Sequence, residues 1–323
     1  MIPIEWLAEA KDTLLEKVRV TPVTFDSDLN AYLKWENRQI TGSFKIRGAI
    51  NKIANLQPWE RSLGLVTASA GNHGQGVAYA AREFGIHSVI FASDHAVPAK
   101  VDAMRGLGAE VRLVSGGYAA AEKAGLGFAV EAGRTWISPY NDGRVIAGQA
   151  AVGLELVEQI QPFDAKSVVI PVGGGGLLAG TALAIQSRGI RTRIIGVQSE
   201  ASSFMHAIFN GKPQESVVEW DSLADGLAGK IEDSSITIPA VRELADDIVL
   251  VSEASIENAI VYAWEKHHEI IEGSAAVALA ALLTGKVPDL PAVLVITGGN
   301  IQPEVHQDIL SRSALNRQTG GLR

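Results

Sequence analysis

The sequence predicts an α/β fold of two domains, each a mainly parallel twisted sheet flanked by helices. Three observations carry this. Apolar runs of strand length, rich in Val and Ile, recur along the chain; each is followed by a segment of helical period; and the turns between are dense in Gly and Ser. Strands that do not alternate apolar with polar residues are covered on both faces, as in parallel sheets between helix layers. The rhythm occurs before and again after about residue 140, which favours two sheets over one very wide one.

In chain order, Met1 to Lys17 carries apolar and charged residues at helical spacing. It lacks the basic segment and apolar core of a signal peptide, so none is expected. Gly64–Ala68 reads as a strand leading into a helix from Asn72. His87–Ala92 reads as a strand before a helix from about Pro98, with proline in its favoured first turn. Glu110–Val114 continues the rhythm, and Val168–Ile170, Ile194–Val197, Ile248–Val251 and Val293–Ile296 supply the later strands. The alanine-rich runs Leu177–Ile185 and Ala275–Leu283 are too short to span a bilayer.

Composition narrows the function classes. The 323 residues are 47% hydrophobic and 20% charged, as in a soluble globular protein, and a cytoplasmic location is expected. A net charge of -8 argues against nucleic acid or an anionic membrane as the main partner. With no cysteine, disulfides, thiolate catalysis and cysteine-ligated metals are excluded.

Lys45 is the first candidate for chemistry. Phe44 and Ile46 make its surroundings apolar, which lowers an amine's pKa toward the neutral form needed to attack an aldehyde. Gly42 and Gly48 would let a planar ligand approach. The alternative is a helix start capped by Ser43, with Lys45 pointing into water. Gly173, Gly174, Gly175 and Gly176 follow a buried strand and precede the helical run from Leu177. Such a turn exposes consecutive N–H groups to an anion at the positive helix end. As a dinucleotide fingerprint it fits poorly: Gly180 comes one residue late, and Arg191-Thr192-Arg193 stands where an acidic residue should hold a ribose. One phosphate suits it better than a pyrophosphate, and close strand–helix packing is the other reading.

Ser69-Ala70-Gly71-Asn72-His73-Gly74 is a second strand-to-helix turn, able to bind a carboxylate through its N–H groups while Asn72 donates to a phenolic oxygen. His73 alone reads as a cap or core histidine and is given no proton transfer. Thr297, closing the last buried strand, offers a neutral hydroxyl to a ring nitrogen; alone, Thr297-Gly298-Gly299-Asn300 reads as an αβ turn. A lysine nucleophile, a phosphate cradle and two hydrogen-bonding turns together are what holds pyridoxal 5'-phosphate covalently.

Ser43–Ala49, Ser69–Gly76, Gly173–Gly176 and Thr297–Asn300 resemble, in order, the signature of the serine/threonine dehydratases, fold type II pyridoxal-phosphate enzymes. Ala147-Gly148-Gln149 and Ala224-Asp225-Gly226 extend the resemblance over nearly the whole chain. It implies a large cofactor-binding domain of residues 1–50 and 140–323, a small domain of 51–139, and a cleft between them. It implies that Lys45 holds the cofactor and then serves as base on Cα, and that Phe44 packs on one ring face. Asn72 would bond the ring's 3-oxygen with the Gly226 backbone nearby, and Gly173–Gly176 with Leu177 would cradle the phosphate. Ser69, Ala70, Gly71, Asn72 and His73 would line the substrate carboxylate site. Glu272 matches a glutamate beside the cofactor, although Gly273 replaces the proline that commonly follows it.

The implied reaction is elimination from a β-hydroxy amino acid, L-threonine or L-serine, to a 2-oxo acid and ammonia, in a homodimer. Hydroxyaspartate ammonia-lyase, serine or aspartate racemase and β-replacement synthase stay open, as does a non-catalytic phosphate-binding protein. Ala70 stands where the family's racemases carry a serine acid/base, which favours dehydratase. Thr297 stands where most dehydratases have serine. Gln198 replaces a glutamate with which several relatives bind a divalent cation, so no metal site is expected. The last motif ends at Asn300 in a chain of 323 residues, and an appended regulatory domain is not expected.

Overall fold

The structure is a computed structural model that describes residues 2–320. Its strands are β1 (Val23–Asp26), β2 (Ala31–Trp35), β3 (Leu65–Ala68), β4 (Ser88–Ser93), β5 (Glu110–Val114), β6 (Thr135–Trp136), β7 (Ser167–Pro171), β8 (Arg193–Ser199), β9 (Asp247–Val251) and β10 (Ala292–Ile296). They form a six-stranded sheet ordered β1-β2-β10-β7-β8-β9 and a four-stranded sheet ordered β5-β4-β3-β6. Every pairing is parallel except β1 with β2.

All seven strands anticipated from sequence are present. The additional ones are β1, β2 and the two-residue β6. β2 reads poorly as a buried strand because Lys34 interrupts it, yet Lys34 is fully buried along with Leu33 and Trp35. The antiparallel β1 extends the large sheet at its edge.

The side-chain alternation of β7 shows how the large sheet is covered. Val168 and Ile170 pack with Leu178, Ala182 and Ile185 of the helix Gly176–Gln186. Val169 points the other way, into Ala275–Leu282 of the helix Gly273–Leu283. Both helices are apolar all round, as expected of helices buried inside a layered fold. In the small sheet, Val66, Val89 and Phe91 pack with Ala121 and Ala129 of the helix Tyr118–Glu131. Leu65 and Ile90 face the helices Asn72–Glu83 and Pro98–Gly106.

Residue 50 falls inside the helix Lys45–Ala54. Ile46, Ile50 and Ile53 of that helix share a core with Leu65 and Val77. The helix also lies against Gly143–Gln149, where a Cβ on Gly148 would overlap the Arg47 carbonyl. The lysine-bearing helix therefore packs against Leu65 and the helix Asn72–Glu83 as well as against Gly143–Gln149.

Under this helix lies a buried charge network. Arg47 makes paired bonds to Glu36 (2.7 and 2.8 Å) and to Glu155 (2.6 and 2.9 Å). Lys34 donates to Glu155 at 2.5 Å, to Gln159 and to the Thr21 carbonyl, both at 2.8 Å. The Lys34, Glu36 and Arg47 side chains have no exposure and Glu155 little. Burial opposes the charge on Arg47, but Glu36 and Glu155 raise its pKa above the ordinary value.

Candidate active site

Lys45 opens its helix, as one sequence reading allowed, but neither of that reading's consequences follows. Ser43 makes no cap bond; its Oγ is buried without a hydrogen-bond partner. Lys45 is half-buried rather than turned out into solvent; its Nζ donates to the Pro139 carbonyl at 3.0 Å, with the Phe44 ring 5.3 Å away. Burial lowers its pKa to about 8 against the opposing pull of Glu272. The amine is thus poised near neutrality, where a useful fraction is a nucleophile.

Backbone bonds set the position of this lysine. Phe44 N donates to Thr297 O at 3.1 Å and Gly299 N to Gly42 O at 2.9 Å, while Ser43 and Gly298 form a β-bridge. Thr297, directly after β10, is buried. Packing by itself requires both flanking glycines. A Cβ on Gly48 would overlap the Gln149 amide, and one on Gly42, at φ +72°, would overlap Asn300.

Asn300 ties in the second turn. Its Nδ2 donates to Thr41 O at 2.9 Å and to Asn72 Oδ1 at 2.6 Å. Asn72 Nδ2 in turn donates to Glu272 Oε1 at 2.6 Å, and Glu272 N donates to Gly298 O at 3.1 Å. Gly226 N donates to Ser274 Oγ at 2.9 Å, beside Glu272. Ser69 closes β3, and its Oγ accepts from Gly71 N at 3.1 Å across Ala70. His73 is buried, with Nε2 3.0 Å from the Ile137 carbonyl and Nδ1 without a partner. Burial and the Lys45 charge push its pKa down to about 3, so the ring is neutral.

The glycine run is linked to Lys45 through Pro139 and Tyr140. A side chain on Gly174 would overlap the Tyr140 ring; one on Gly176 would press on the Tyr140 backbone. Gly175, at φ +86°, takes the left-handed turn that starts the helix Gly176–Gln186, and Leu177 is buried in its first turn. Close packing against Tyr140 therefore accounts for glycine at positions 174 and 176. Tyr140 Oη accepts from Glu232 N at 3.1 Å, and Asn141 Nδ2 donates to Glu232 Oε2 at 2.7 Å. Sequence reasoning passed over Pro139-Tyr140-Asn141; its signal is a Pro-aromatic-Asn turn shortly after β6.

Glu272 is buried, and burial with Asp225 raises its pKa to about 7, against Lys100, Asn72 and Asn300. In the folded chain this carboxyl keeps its proton below about pH 7, and in the unfolded chain only below about 4.5. The stabilisation is complete below the unfolded value and lost as pH rises through the folded one, up to about 3 kcal/mol. Glu272→Gln keeps the acceptor for Asn72 and removes the charge. We expect cofactor-free Glu272→Gln to melt above wild type at pH 8.5 and level with it at pH 5; equal differences at both would refute the pKa.

Gln198 is buried, with its Oε1 accepting from His206 N at 2.7 Å. Among the described residues no group of three or more His, Asp or Glu side chains could hold a metal ion. Also among them, no helix is long and apolar enough to cross a membrane.

A desolvated amine beside a glycine turn at a helix start matches the donor set a phosphorylated aldehyde requires, and the unpartnered Ser43 Oγ supplies a further polar group. Those features define enzymes that carry such an aldehyde on a lysine. Residues 14–298 match the family model described as pyridoxal-phosphate dependent enzyme, and the chain belongs to that family. It is 40% identical over 319 residues to the L-threonine ammonia-lyase of Thermotoga maritima, covering 97% of this chain and 79% of that one. It is 38% identical to the catabolic L-threonine dehydratase TdcB of Escherichia coli K12, covering 93% of each. Among solved structures it resembles the processed threonine deaminase isoform 2 of Solanum lycopersicum (TM-score 0.86, 31% identity, covering 95% of this chain and 92% of that one). Maize serine racemase is similarly close in fold (TM-score 0.86, 28% identity, covering 98% and 99%).

Proposed function

We propose that this protein is a lyase removing water and ammonia from a β-hydroxy amino acid, L-threonine foremost and L-serine with it, to give a 2-oxo acid. The observation that supports it most is the half-buried Lys45 amine, its pKa lowered to about 8, with the glycine turn and the Asn72–Glu272 pair nearby. The ammonia-lyases and dehydratases among its relatives point the same way. When bound, the cofactor supplies the electron sink for charge developing at Cα.

The protein's own residues do the rest. Lys45 holds the cofactor and, in its neutral form, accepts the α-proton. Gly173–Gly176 and Leu177 hold the phosphate at the helix start; Phe44 packs on the ring; Asn72 and the Gly226 backbone flank the ring oxygen. Thr297 gives the ring nitrogen a neutral partner, which limits long-lived carbanion chemistry and so favours elimination. Ser69, Gly71 and the N–H groups through His73 hold the substrate carboxylate, and Ala70 leaves the opposite face of Cα without an acid. Residues 1–50 with 140–323 and residues 51–139 act as the two bodies around this cleft. The enzyme works as a cytoplasmic homodimer, and exposed Trp59, Val130 and Trp220 offer apolar surface for self-association.

The test is a substrate panel of L-threonine, L-serine and 3-hydroxyaspartate, with ammonia, 2-oxo acid and chirality measured together. We expect stoichiometric ammonia and 2-oxo acid with no D-isomer. Conversion to D-amino acid without ammonia would replace this reading by a racemase.

A further inference from the structure

The turn Ser69–Gly74 offers N–H groups to a carboxylate, and a full positive charge stands opposite it. Lys100 lies in the first turn of the helix Pro98–Gly106. Its side chain is only 17% exposed. Apart from its chain neighbours, a Cβ built on Gly71 would meet Lys100 Nζ alone within 4 Å, at 4.0 Å. The ammonium therefore stands close to the carboxylate turn.

Its counter-ion is a loose one. Asp225 Oδ2 lies 3.5 Å from Lys100 Nζ, and the Asp225 side chain is 67% exposed. Asp225 adjoins Gly226, whose N–H is held by Ser274. Lys100 and Asp225 both act electrostatically on Glu272, which places the pair at the site and not on a remote surface. An exposed, long ion pair contributes little to stability, so Asp225 can release the amine at small cost.

We propose that Lys100 is a substrate-binding residue whose ammonium pairs with a carboxylate of the amino-acid substrate in the space before Gly71, with Asp225 as its counter-ion when substrate is absent. This rests on the amino-acid lyase reading above. A charge-assisted bond of this kind, removed without leaving a buried partner, costs about ten- to a hundredfold in binding.

The experiment uses the holoenzyme with L-threonine and with 3-hydroxyaspartate, and malonate as a non-reacting dicarboxylate followed by calorimetry. Lys100→Met should raise KM and the malonate Kd about ten- to a hundredfold while kcat changes far less and cofactor absorbance stays that of wild type. Lys100→Arg should recover most of the loss, and Asp225→Asn should leave KM level or lower. A KM rise common to both substrates assigns the α-carboxylate; a rise confined to 3-hydroxyaspartate assigns its side-chain carboxylate. Values for Lys100→Met within about twofold of wild type would overturn the proposal. So would an Asp225→Asn rise matching that of Lys100→Met, since the pair would then be a structural tie. Wild-type protein that takes up cofactor but eliminates from neither substrate, while Lys100→Met still weakens malonate, would leave this proposal standing and remove the lyase reading.

Discussion

Lys45→Ala is expected to abolish turnover, by about 10⁴-fold or more, because one side chain both anchors the cofactor and moves the α-proton. The same change should remove the visible absorbance of lysine-linked cofactor. Borohydride treatment should leave a reduced adduct on Lys45 in wild type and none in the variant. The burial that lowers the Lys45 pKa to about 8 adds a pH dependence. Capture of pyridoxal phosphate by cofactor-free protein runs through the neutral amine, so its rate should climb as pH passes upward through about 8. Retained turnover in Lys45→Ala, or a capture rate flat from pH 7 to 9, would refute this assignment.

Arg47→Met is expected to have the largest effect on stability. The guanidinium is fully buried and makes paired bonds to both Glu36 and Glu155. Its removal leaves two carboxylates with Lys34 as the remaining cation of the network. Breaking a buried ion pair from one side costs about 3–5 kcal/mol, since the partner left behind is uncompensated. Urea denaturation of the cofactor-free proteins checks this, and a loss below about 1 kcal/mol would show that water or repacking satisfies the carboxylates. Because Arg47 stands two residues beyond Lys45 on the same helix, a folded fraction of the variant should also bind cofactor more weakly.

The glycine turns and the strands leading into them were legible in the sequence because backbone requirements select residue types directly. A left-handed turn such as that at Gly175 admits little else, and β-branched runs such as Val168-Val169-Ile170 suit a strand covered on both faces. Lys45 was legible for a different reason: its apolar neighbours foretold a partly desolvated amine. The charge network was not. Lys34, Glu36 and Arg47 are of residue types that usually face water, and only the tertiary arrangement brings their charges together; Lys34 also concealed β2. Gly48 was read for a ligand and is needed for the Gln149 amide. Lys100 escaped notice because its meaning lies in its nearness to Gly71, which only the folded chain brings about.

The strapping of Gly42–Phe44 to Thr297–Gly299, together with the pairing of β2 to β10, has a consequence for biosynthesis. The two halves of the lysine's seat are separated by some 250 positions, so a ribosome-bound chain has no place for the vitamin until nearly all of it has emerged. Such distant closure is slow and leaves sheet edges bare in the interim. Nascent chains arrested before residue 292 should therefore remain colourless when pyridoxal phosphate is supplied.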